Sequence, residues 1–287
     1  MLSILIPTYN YDCEPLVSSL VKQIDKYSLA CEIICIDDAS TTKINTLQLN
    51  SEYFTSIVLE KNIGRSRIRN LLASKAKYNW ILFLDVDTLP TQSNFLSNYI
   101  EIIRKNPKEA VFFGGLAYRN EDANPKNSLR YKYGIVRESI SSSKRSKNPY
   151  TTLLMSNTLL KKKVFDKTGF NEKITAYGHE DAVFSFDLYG AGFTVRHLDN
   201  KVYHVGLESN TIFINKTKIA VKNLWYLYMQ SLIHPEINML LKTFIRMKKY
   251  GLSPILSFIY TLFHNNFEKK LQQKSPSLRI FDLYRLS

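Results

Sequence analysis

The sequence has few of the residues that mark disulfide-rich, zinc-binding or dinucleotide-binding proteins. Three of its 287 residues are cysteine, and they form no CxxC pair. Neither a disulfide framework nor a zinc knuckle is therefore predicted, and a reducing compartment is the simplest interpretation. The ten glycines form no P-loop, GxGxxG fingerprint or GxSxG elbow. The commonest kinase, dehydrogenase and serine-hydrolase classes are thereby excluded.

Long apolar runs are also lacking. Residues 251–267 carry no charge, but they include Pro254 and His264 and fall short of the ~20 apolar residues that a membrane-spanning helix needs. The N-terminal apolar stretch is short and has no basic segment before it, so no signal peptide is predicted. We expect a cytoplasmic protein, with peripheral attachment at the inner face of the plasma membrane left open.

Acidic residues are outnumbered by basic ones, 25 Asp+Glu against 39 Lys+Arg, which gives a formal charge of +14. Residues 211–287 account for +9 of this charge. Such an excess favours an acidic partner, either nucleic acid, anionic lipid or a phosphorylated small molecule. Because the basic and aromatic residues form no recognisable nucleic-acid-binding motif, no nucleic acid is predicted as a partner.

The first hundred residues alternate short apolar runs with helical periodicity, which is typical of an α/β protein with a mostly parallel sheet. Predicted strands lie at residues 3–7, 32–37, 56–59, 80–85 and 110–113. The polar, basic residues 119–149 are predicted to form a mobile loop region, and residues 211–287 are predicted to be helical.

Polar residues follow three of the predicted strands, at 7–10, 37–40 and 85–87. Ligands of parallel α/β sheets bind at this edge, outside the carboxyl ends of the strands. On extended backbone Asp85 and Asp87 would point the same way, and their carboxylates would repel unless a cation lay beside them. A hard divalent cation completed by water and diphosphate would meet that need. Alternatively, Asp87 caps a turn and Asp85 binds loop amides.

A series of motifs runs along the chain in a fixed order: Pro7-Thr8-Tyr9-Asn10, Ile36-Asp37-Asp38-Ala39-Ser40, Asn62-Ile63-Gly64 with Arg69-Asn70, Phe83-Leu84-Asp85-Val86-Asp87 and Gly178-His179-Glu180-Asp181. Over residues 1–205 this series resembles the family 2 glycosyltransferases of the GT-A fold, and residues 197–210 look like a bacterial subgroup. The resemblance implies a Rossmann-like, mixed, mostly parallel sheet. We expect a catalytic domain over residues 1–210 and a basic helical extension over residues 211–287.

The resemblance also implies a nucleotide site. Its expected members are Pro7, Thr8, Tyr9, Asp38, Asn62, Gly64, Arg69 and Asp85. Thr8 and Tyr9 would flank the base, and the Asp38 carboxylate could accept from the N3–H of uracil, which favours a uridine diphosphate donor. Asp38 could instead cap the following helix.

The remaining roles implied by the resemblance concern catalysis. Asp87 and His204 would bind Mn²⁺ or Mg²⁺, which bridges the donor phosphates. Asp181 would be the base that takes the acceptor's proton, while Glu180 would hold the acceptor or favour the helix start. Residues expected near the donor sugar or acceptor are Gly114, Gly115, Asn157 and His179.

Together these features predict an inverting, metal-dependent glycosyltransferase that transfers a sugar from a nucleotide diphosphate to a saccharide or lipid-linked glycan in cell-surface polysaccharide synthesis. A sugar-nucleotide pyrophosphorylase is an alternative, although it would need a glycine- and arginine-rich loop where Pro7-Thr8-Tyr9-Asn10 stands. A non-catalytic, membrane-associated scaffold is another. The basic amphipathic helices near the C-terminus either contact an anionic membrane or cover the catalytic domain.

Overall fold

Ten strands and eleven α-helices make up the computed structural model, which describes residues 1–42 and 51–287. The strands are β1 (Leu2–Thr8), β2 (Cys31–Asp37), β3 (Phe54–Val58), β4 (Trp80–Leu84), β5 (Thr88–Pro90), β6 (Val111–Phe113), β7 (Leu116–Ala117), β8 (Asn157–Lys161), β9 (Val195–His197) and β10 (Val202–His204). The helices are α1 (Glu14–Tyr27), α2 (Arg65–Lys75), α3 (Phe95–Lys105), α4 (Ser128–Tyr133), α5 (Ser142–Arg145), α6 (Lys162–Thr168), α7 (Glu180–Gly190), α8 (Asn210–Met229), α9 (Met239–Lys249), α10 (Ser253–Leu271) and α11 (Leu278–Leu286).

Seven strands form the main sheet, in the order β3-β2-β1-β4-β8-β6-β9. Strands β1 to β4 are parallel to one another, whereas β8 runs antiparallel between β4 and β6. The predicted mixed, mostly parallel sheet is confirmed, and all five predicted strands are present. Sequence analysis did not predict β8, since its Asn-Thr-Leu-Leu-Lys sequence is too short to show a clear period.

The core lies on both faces of this sheet because the strands are apolar on both sides, as parallel strands covered by helices are. On one face, residues such as Ile4 and Leu82 pack against Leu16 and Leu20 of α1 and the start of α3. On the other face, Leu5 and its neighbours pack against α2, α6 and α7. The carboxyl ends of β1, β2 and β4 are thereby fixed beside the N-termini of α2 and α7.

A small second sheet, in the order β5-β10-β7, lies beyond the end of β4. Strand β10 is antiparallel to β5, and His204 pairs with Thr88. Because Asp87 directly precedes Thr88, this pairing places the two predicted metal ligands next to each other.

Residues 119–149 are folded, so the prediction of a mobile loop region there was wrong. They contain α4, a π-helical segment at Gly134–Glu138 and α5. Arg145 has no exposed surface, and its guanidinium donates to His197 Nδ1 over 3.2 Å and to the carbonyl of Leu198. Sequence composition missed this order because those partners lie about fifty residues away in the chain.

The C-terminal helices pack onto the rest of the chain through two apolar clusters. Leu227 and Leu241 join Val183 of α7 in one cluster, and Phe281 joins Leu129 of α4 in the other. Four helices, α8 to α11, confirm the helical prediction. The division at residue 210 stays a prediction.

Helix α10 keeps an apolar face outside these clusters. Ile255, Phe258 and Leu262 are 54%, 63% and 53% exposed, at helical spacing. Within the described ranges, no helix has both the length and the apolar character needed to cross a bilayer.

Candidate functional site

Two loops at the ends of β1 and β2 are tied together. The Asp38 amide donates to the Thr8 carbonyl over 2.9 Å, and the Asn10 carboxamide accepts from the Thr41 amide over 2.8 Å. Thr8 is buried and its hydroxyl donates to the Tyr11 carbonyl, so its side chain serves the loop. Tyr9, in contrast, is 48% exposed, and its contact with a base stays a prediction.

Asp38 organises the loop before α2. One carboxylate oxygen accepts from the Ile63 amide at 2.6 Å and the other from the Gly64 amide at 3.0 Å. The Asn62 carboxamide in turn donates to the Asp38 carbonyl over 2.9 Å. Gly64 has φ +86°, a conformation that favours glycine. The structure therefore brings together three of the predicted nucleotide-site residues, and the contact between Asp38 and a base stays a prediction.

Arg69 links the ends of β4 and α7. This buried guanidinium lies 3.0 Å from Asp85 Oδ1 and 3.7 Å from Glu180 Oε1. Arg65 Nη1 also contacts Glu180 Oε1, at 3.2 Å. Burial by itself would raise the pKa of Glu180, but Arg65 and Arg69 outweigh it and lower that pKa. Glu180 is thus an anion held by two arginines, which suits positioning better than proton transfer.

Asp85 and Asp87 do not share one face, because the backbone turns between them. The Thr88 hydroxyl and amide both donate to the Asp85 carbonyl, at 2.7 and 3.1 Å. Asp85 consequently reaches Arg69, while Asp87 Oδ2 lies 3.4 Å from His204 Nε2. The expectation that both carboxylates point the same way was wrong, although Asp85 remains near enough to raise the pKa of Asp87.

Asp87 and His204 supply an oxygen and a nitrogen donor suited to a divalent cation. Burial is the larger cause of the raised pKa of Asp87, and His204 opposes it. Within residues 1–42 and 51–287, no group of three or more His, Cys, Asp or Glu side chains could hold a metal ion. The two residues fit a cation whose other ligands come from a donor diphosphate and water.

Asp181 has the most unusual carboxyl group of the site. Its Oδ2 accepts from the Met155 amide at 3.1 Å, whereas the solvent-shielded Oδ1 has no hydrogen-bond partner in the described part of the chain. Burial raises the pKa of Asp181 to about 7, against the attraction of Arg69. A carboxyl with one free oxygen and a pKa near neutrality matches the requirements of a general base.

The predicted sugar contacts divide into buried and accessible positions. Asn157 is fully buried; its amide donates to the Gly115 and Asn200 carbonyls, and its Oδ1 accepts from the Tyr99 hydroxyl at 2.7 Å. A Cβ at Gly114 would lie 2.3 Å from the Tyr99 Oη. Asn157 and Gly114 therefore shape the end of β6, and we expect no side-chain contact with a sugar from Asn157.

His179 immediately precedes α7 and, unlike Asn157, lines a cavity. It has φ +71°, and burial lowers the pKa of its imidazole to about 4. The neutral ring lies 3.4 Å from the Asn238 carboxamide and lines a cavity together with Asp181. Of the four predicted sugar-site residues, His179 is the one with access to this space.

Sequence analysis missed a polar network behind His204. The His204 ring packs against Tyr118 at 5.7 Å, the Tyr118 hydroxyl donates to Glu138, and Arg130 Nη2 lies 3.1 Å from Glu138. Arg130 Nη1 is shielded and has no hydrogen-bond partner among the described residues. No motif indicated this network, because Arg130 and Glu138 lie in the segment 119–149, whose composition resembles a loop.

Comparisons with known proteins concern the fold and the family of the chain. Solved structures with the same fold include S. aureus TarS 1-349 in complex with UDP-GlcNAc, at 20% identity and a TM-score of 0.52, covering 77% of this chain and 66% of that one. Another is the mannosyltransferase PcManGT from Pyrobaculum calidifontis in complex with GDP-Man and Mn²⁺, at 13% identity and a TM-score of 0.60, covering 99% and 85%. Both are GT-A glycosyltransferases, so the predicted fold is confirmed.

Curated relatives are also glycosyltransferases. An uncharacterized glycosyltransferase of Haemophilus influenzae is 35% identical over 111 residues, or 37% of this chain and 36% of the relative. The chondroitin synthase of Pasteurella multocida is 26% identical over 241 residues, or 71% of this chain and 24% of the relative. The chain thus spans about a third or less of the length of each.

The family model described as glycosyl transferase family 2 matches residues 3–171. That match includes the loops at the ends of β1, β2 and β4, and it covers more than half of the chain. The resemblance seen in the motifs is confirmed: the chain belongs to glycosyl transferase family 2.

Proposed function

We propose that this glycosyltransferase transfers a hexose with inversion from a UDP-sugar to a saccharide or lipid-linked glycan, in cell-surface polysaccharide synthesis. The observation that carries the proposal is the Asp181 carboxyl group, whose Oδ1 has no hydrogen-bond partner among residues 1–42 and 51–287, next to the anchored Asp85 and Glu180. A non-catalytic scaffold would be expected to lack Asp87 or Asp181, and the presence of both supports an enzyme. Family membership favours a transferase over a pyrophosphorylase.

Donor binding is assigned to the strand ends. The exposed ring of Tyr9 packs on the base, and Asp38 holds the loop that closes around it. Asp85 faces the ribose while Arg69 fixes its orientation. The TarS structures bound to UDP and UDP-GlcNAc share this fold and make uridine nucleotides the first donors to test.

Departure of the nucleoside diphosphate is assigned to Asp87 and His204, which lie where β10 pairs with β5. Asp87 and His204 would hold Mn²⁺ or Mg²⁺, and such a cation would supply positive charge that stabilises the leaving nucleoside diphosphate. Tyr118 supports the His204 ring from behind. Arg130, which is paired with Glu138, lies behind Tyr118 in the same region.

Transfer itself is assigned to Asp181. Its Oδ1 accepts the proton of the acceptor hydroxyl as that oxygen forms a bond to the anomeric carbon, and the bond from this carbon to the diphosphate oxygen breaks. The Met155 amide keeps the carboxylate oriented through Oδ2. Because attack and departure occur on opposite faces of the sugar, the configuration inverts.

Peripheral membrane attachment is assigned to α10. Its exposed residues Ile255, Phe258 and Leu262 lie between basic groups at the end of α9 and the end of α10. An apolar face flanked by Lys and Arg suits the surface of an anionic bilayer. The cytoplasmic side of the plasma membrane, where nucleotide sugars are available, is the proposed location.

A donor screen tests the proposal. UDP- and GDP-sugars are incubated with the protein in Mn²⁺, Mg²⁺ or EDTA, and thermal stabilisation and slow donor hydrolysis are measured. We expect a UDP-sugar to stabilise the wild type in the presence of metal. Asp87→Ala should lose most of the metal-dependent stabilisation, while Asp166→Ala, at an exposed aspartate of α6, should retain it.

The result that contradicts the proposal is equally clear. If no nucleotide sugar is bound or hydrolysed under any condition, the transferase assignment is wrong. If a donor binds equally well in EDTA and to Asp87→Ala, the metal assignment is wrong and the donor assignment stands.

A further inference from the structure

A cavity of about 660 Å³ opens on the α7 side of the site. Asp181 and His179 form one wall, and Asn238, Met239 and Leu240 from the start of α9 form another. The lining does not include Asp38, Asp85 or Asp87, where the donor is expected. The cavity is therefore lined by residues other than those expected to bind the donor, and its volume is typical of a ligand site.

The cavity has aromatic walls contributed by distant parts of the chain. Tyr133, Tyr150 and Tyr177 line it. The Tyr150 hydroxyl is anchored to the Phe193 carbonyl at 3.1 Å, and the Arg65 guanidinium lies 4.7 Å from the Tyr177 ring centroid. Anchored tyrosine rings combine an apolar face with a polar tip, which suits the mixed surface of a pyranose.

Part of the cavity lining consists of two arginines and one aspartate, Arg137, Arg285 and Asp282. Arg137 Nη2 lies 2.7 Å from Asp282 Oδ2, and Arg285 contacts the other oxygen of the same carboxylate. Two guanidiniums thus share one carboxylate, which leaves one positive charge uncompensated. Arg285 Nε is shielded and has no hydrogen-bond partner within residues 1–42 and 51–287.

From this arrangement we infer that the cavity binds an acceptor saccharide that carries an anionic group, a carboxylate or a phosphate. Its accepting hydroxyl lies at Asp181, its ring lies against the tyrosines, and its anion is bound by Arg137 and Arg285. Guanidinium groups recognise both anions through paired hydrogen bonds. The inference rests on the proposed transferase function, and it assigns acceptor recognition to α11 and the Gly134–Glu138 segment.

The test compares acceptors that differ only in charge. Wild-type enzyme with a metal-loaded donor is given a uronate-terminated oligosaccharide and its carboxyl-reduced counterpart. A second pair is a saccharide linked to farnesyl diphosphate and the same saccharide as a farnesyl glycoside. Preference within the first pair identifies a carboxylate, and preference within the second identifies a phosphate; either result supports the inference.

Variants locate the recognition. Arg137→Gln should raise the KM for the preferred anionic acceptor at least 10-fold, leave the KM for the donor unchanged, and lose little with the neutral counterpart. Arg137→Lys should recover part of the affinity. The matched control is Arg279→Gln, an exposed arginine of α11 outside the cavity, which should behave as wild type.

Two outcomes overturn the inference. One is a wild-type enzyme that hydrolyses its donor but does not transfer to either anionic probe, or that prefers the neutral members. The other is an Arg137→Gln variant that retains wild-type KM for the anionic acceptor. A wild type that neither binds nor hydrolyses any donor contradicts the proposed function instead, so the two failures are distinguishable.

Discussion

Asp181 shows how a residue acquires a role from its surroundings. The carboxyl group is held by one backbone amide, leaves one oxygen without a partner in the described structure, and lies near the anionic Glu180. Glu180 is paired with Arg65 and Arg69, which lower its pKa, whereas burial raises the pKa of Asp181. This separation is typical of acid–base assignments in active sites.

Replacement of this base gives the first prediction. Asp181→Asn should lower kcat by about 10²–10⁴-fold, the usual contribution of a general base, while the Kd for the donor stays within a few-fold of wild type. In the wild type, the base must be ionised, so activity should rise with pH through about 7. Transfer rates measured between pH 5 and 9, together with donor titrations, check both statements.

Stability measurements distinguish the loss of activity in Asp181→Asn from misfolding. The folded-state pKa of Asp181, about 7, lies above the unfolded value. Between these two pKa values the carboxyl group is ionised in the unfolded chain but protonated in the folded protein, so the wild type loses stability as the pH rises towards 7. Asp181→Asn lacks this loss, and its Tm relative to wild type should be higher at pH 8 than at pH 5. Wild-type turnover by the variant, or a pH-independent Tm difference, would contradict the assignment.

Among single residues, motif order predicted Asp87 with His204 and Glu180 with Asp181 as neighbouring pairs. It did not predict that Arg69 joins Asp85 to Glu180, because Asp85 and Glu180 are almost a hundred residues apart. A charged side chain in a short window shows what it can bind, whereas its actual partner depends on which helix packs beside it.

At the scale of elements, the sequence predicted the regular strands but not the irregular segments. Apolar runs predicted β1 and β2 to within a residue or two, since both faces of these strands are buried. Residues 119–149 have a loop-like composition, yet Arg145 folds inward because the carbonyls of Gly114 and Leu198 accept its hydrogen bonds. Local composition carries no information about such acceptors.

Helix α10 gives a prediction about membranes. Replacing both Phe258 and Leu262 by Ser removes large exposed apolar groups, so binding to vesicles containing anionic lipid should fall by about 10-fold or more at low salt. Flotation of the full chain with anionic and zwitterionic vesicles measures this effect.

The matched control for α10 lies on another helix. Met229→Ser, at a 61% exposed position at the end of α8, should leave flotation unchanged. A wild-type chain that stays in the soluble fraction with anionic vesicles at low salt would refute membrane attachment through α10. The same conclusion would follow if the double variant floated as well as the wild type.

At the scale of the whole molecule, the basic C-terminal helices are part of the folded structure. Leu227 is fully buried, in a cluster that includes Val183 of the helix bearing Asp181. Phe281 is buried against Leu129 of α4. The sequence left open whether these helices cover the catalytic domain or contact a membrane. The structure shows that they cover it, while α10 retains an exposed apolar face.

Replacing Leu227 by alanine tests whether the C-terminal helices stabilise the rest of the folded chain. Leu227→Ala should lower the free energy of unfolding by about 2–5 kcal/mol, as is usual for a buried leucine. Met229→Ala, two residues away but exposed, should change it by no more than about 0.5 kcal/mol. Denaturant unfolding followed by circular dichroism and by tryptophan fluorescence provides the measurement; equal stability of the two variants would show that the helices fold independently.

The sequence by itself determined the parallel strands β1 to β4, the family and the edge of the sheet where the chemistry lies, because each depends on short apolar runs and on the polar residues that end them. Only the tertiary structure showed which residues meet. Arg69 pairs with Asp85, Arg65 pairs with Glu180, and residues of the C-terminal helices line the cavity at Asp181. Hydrophobic periodicity is a local property, readable within a few turns or strands. Ion pairs and cavity walls join residues up to a hundred or more positions apart, so they exist only once the elements have packed.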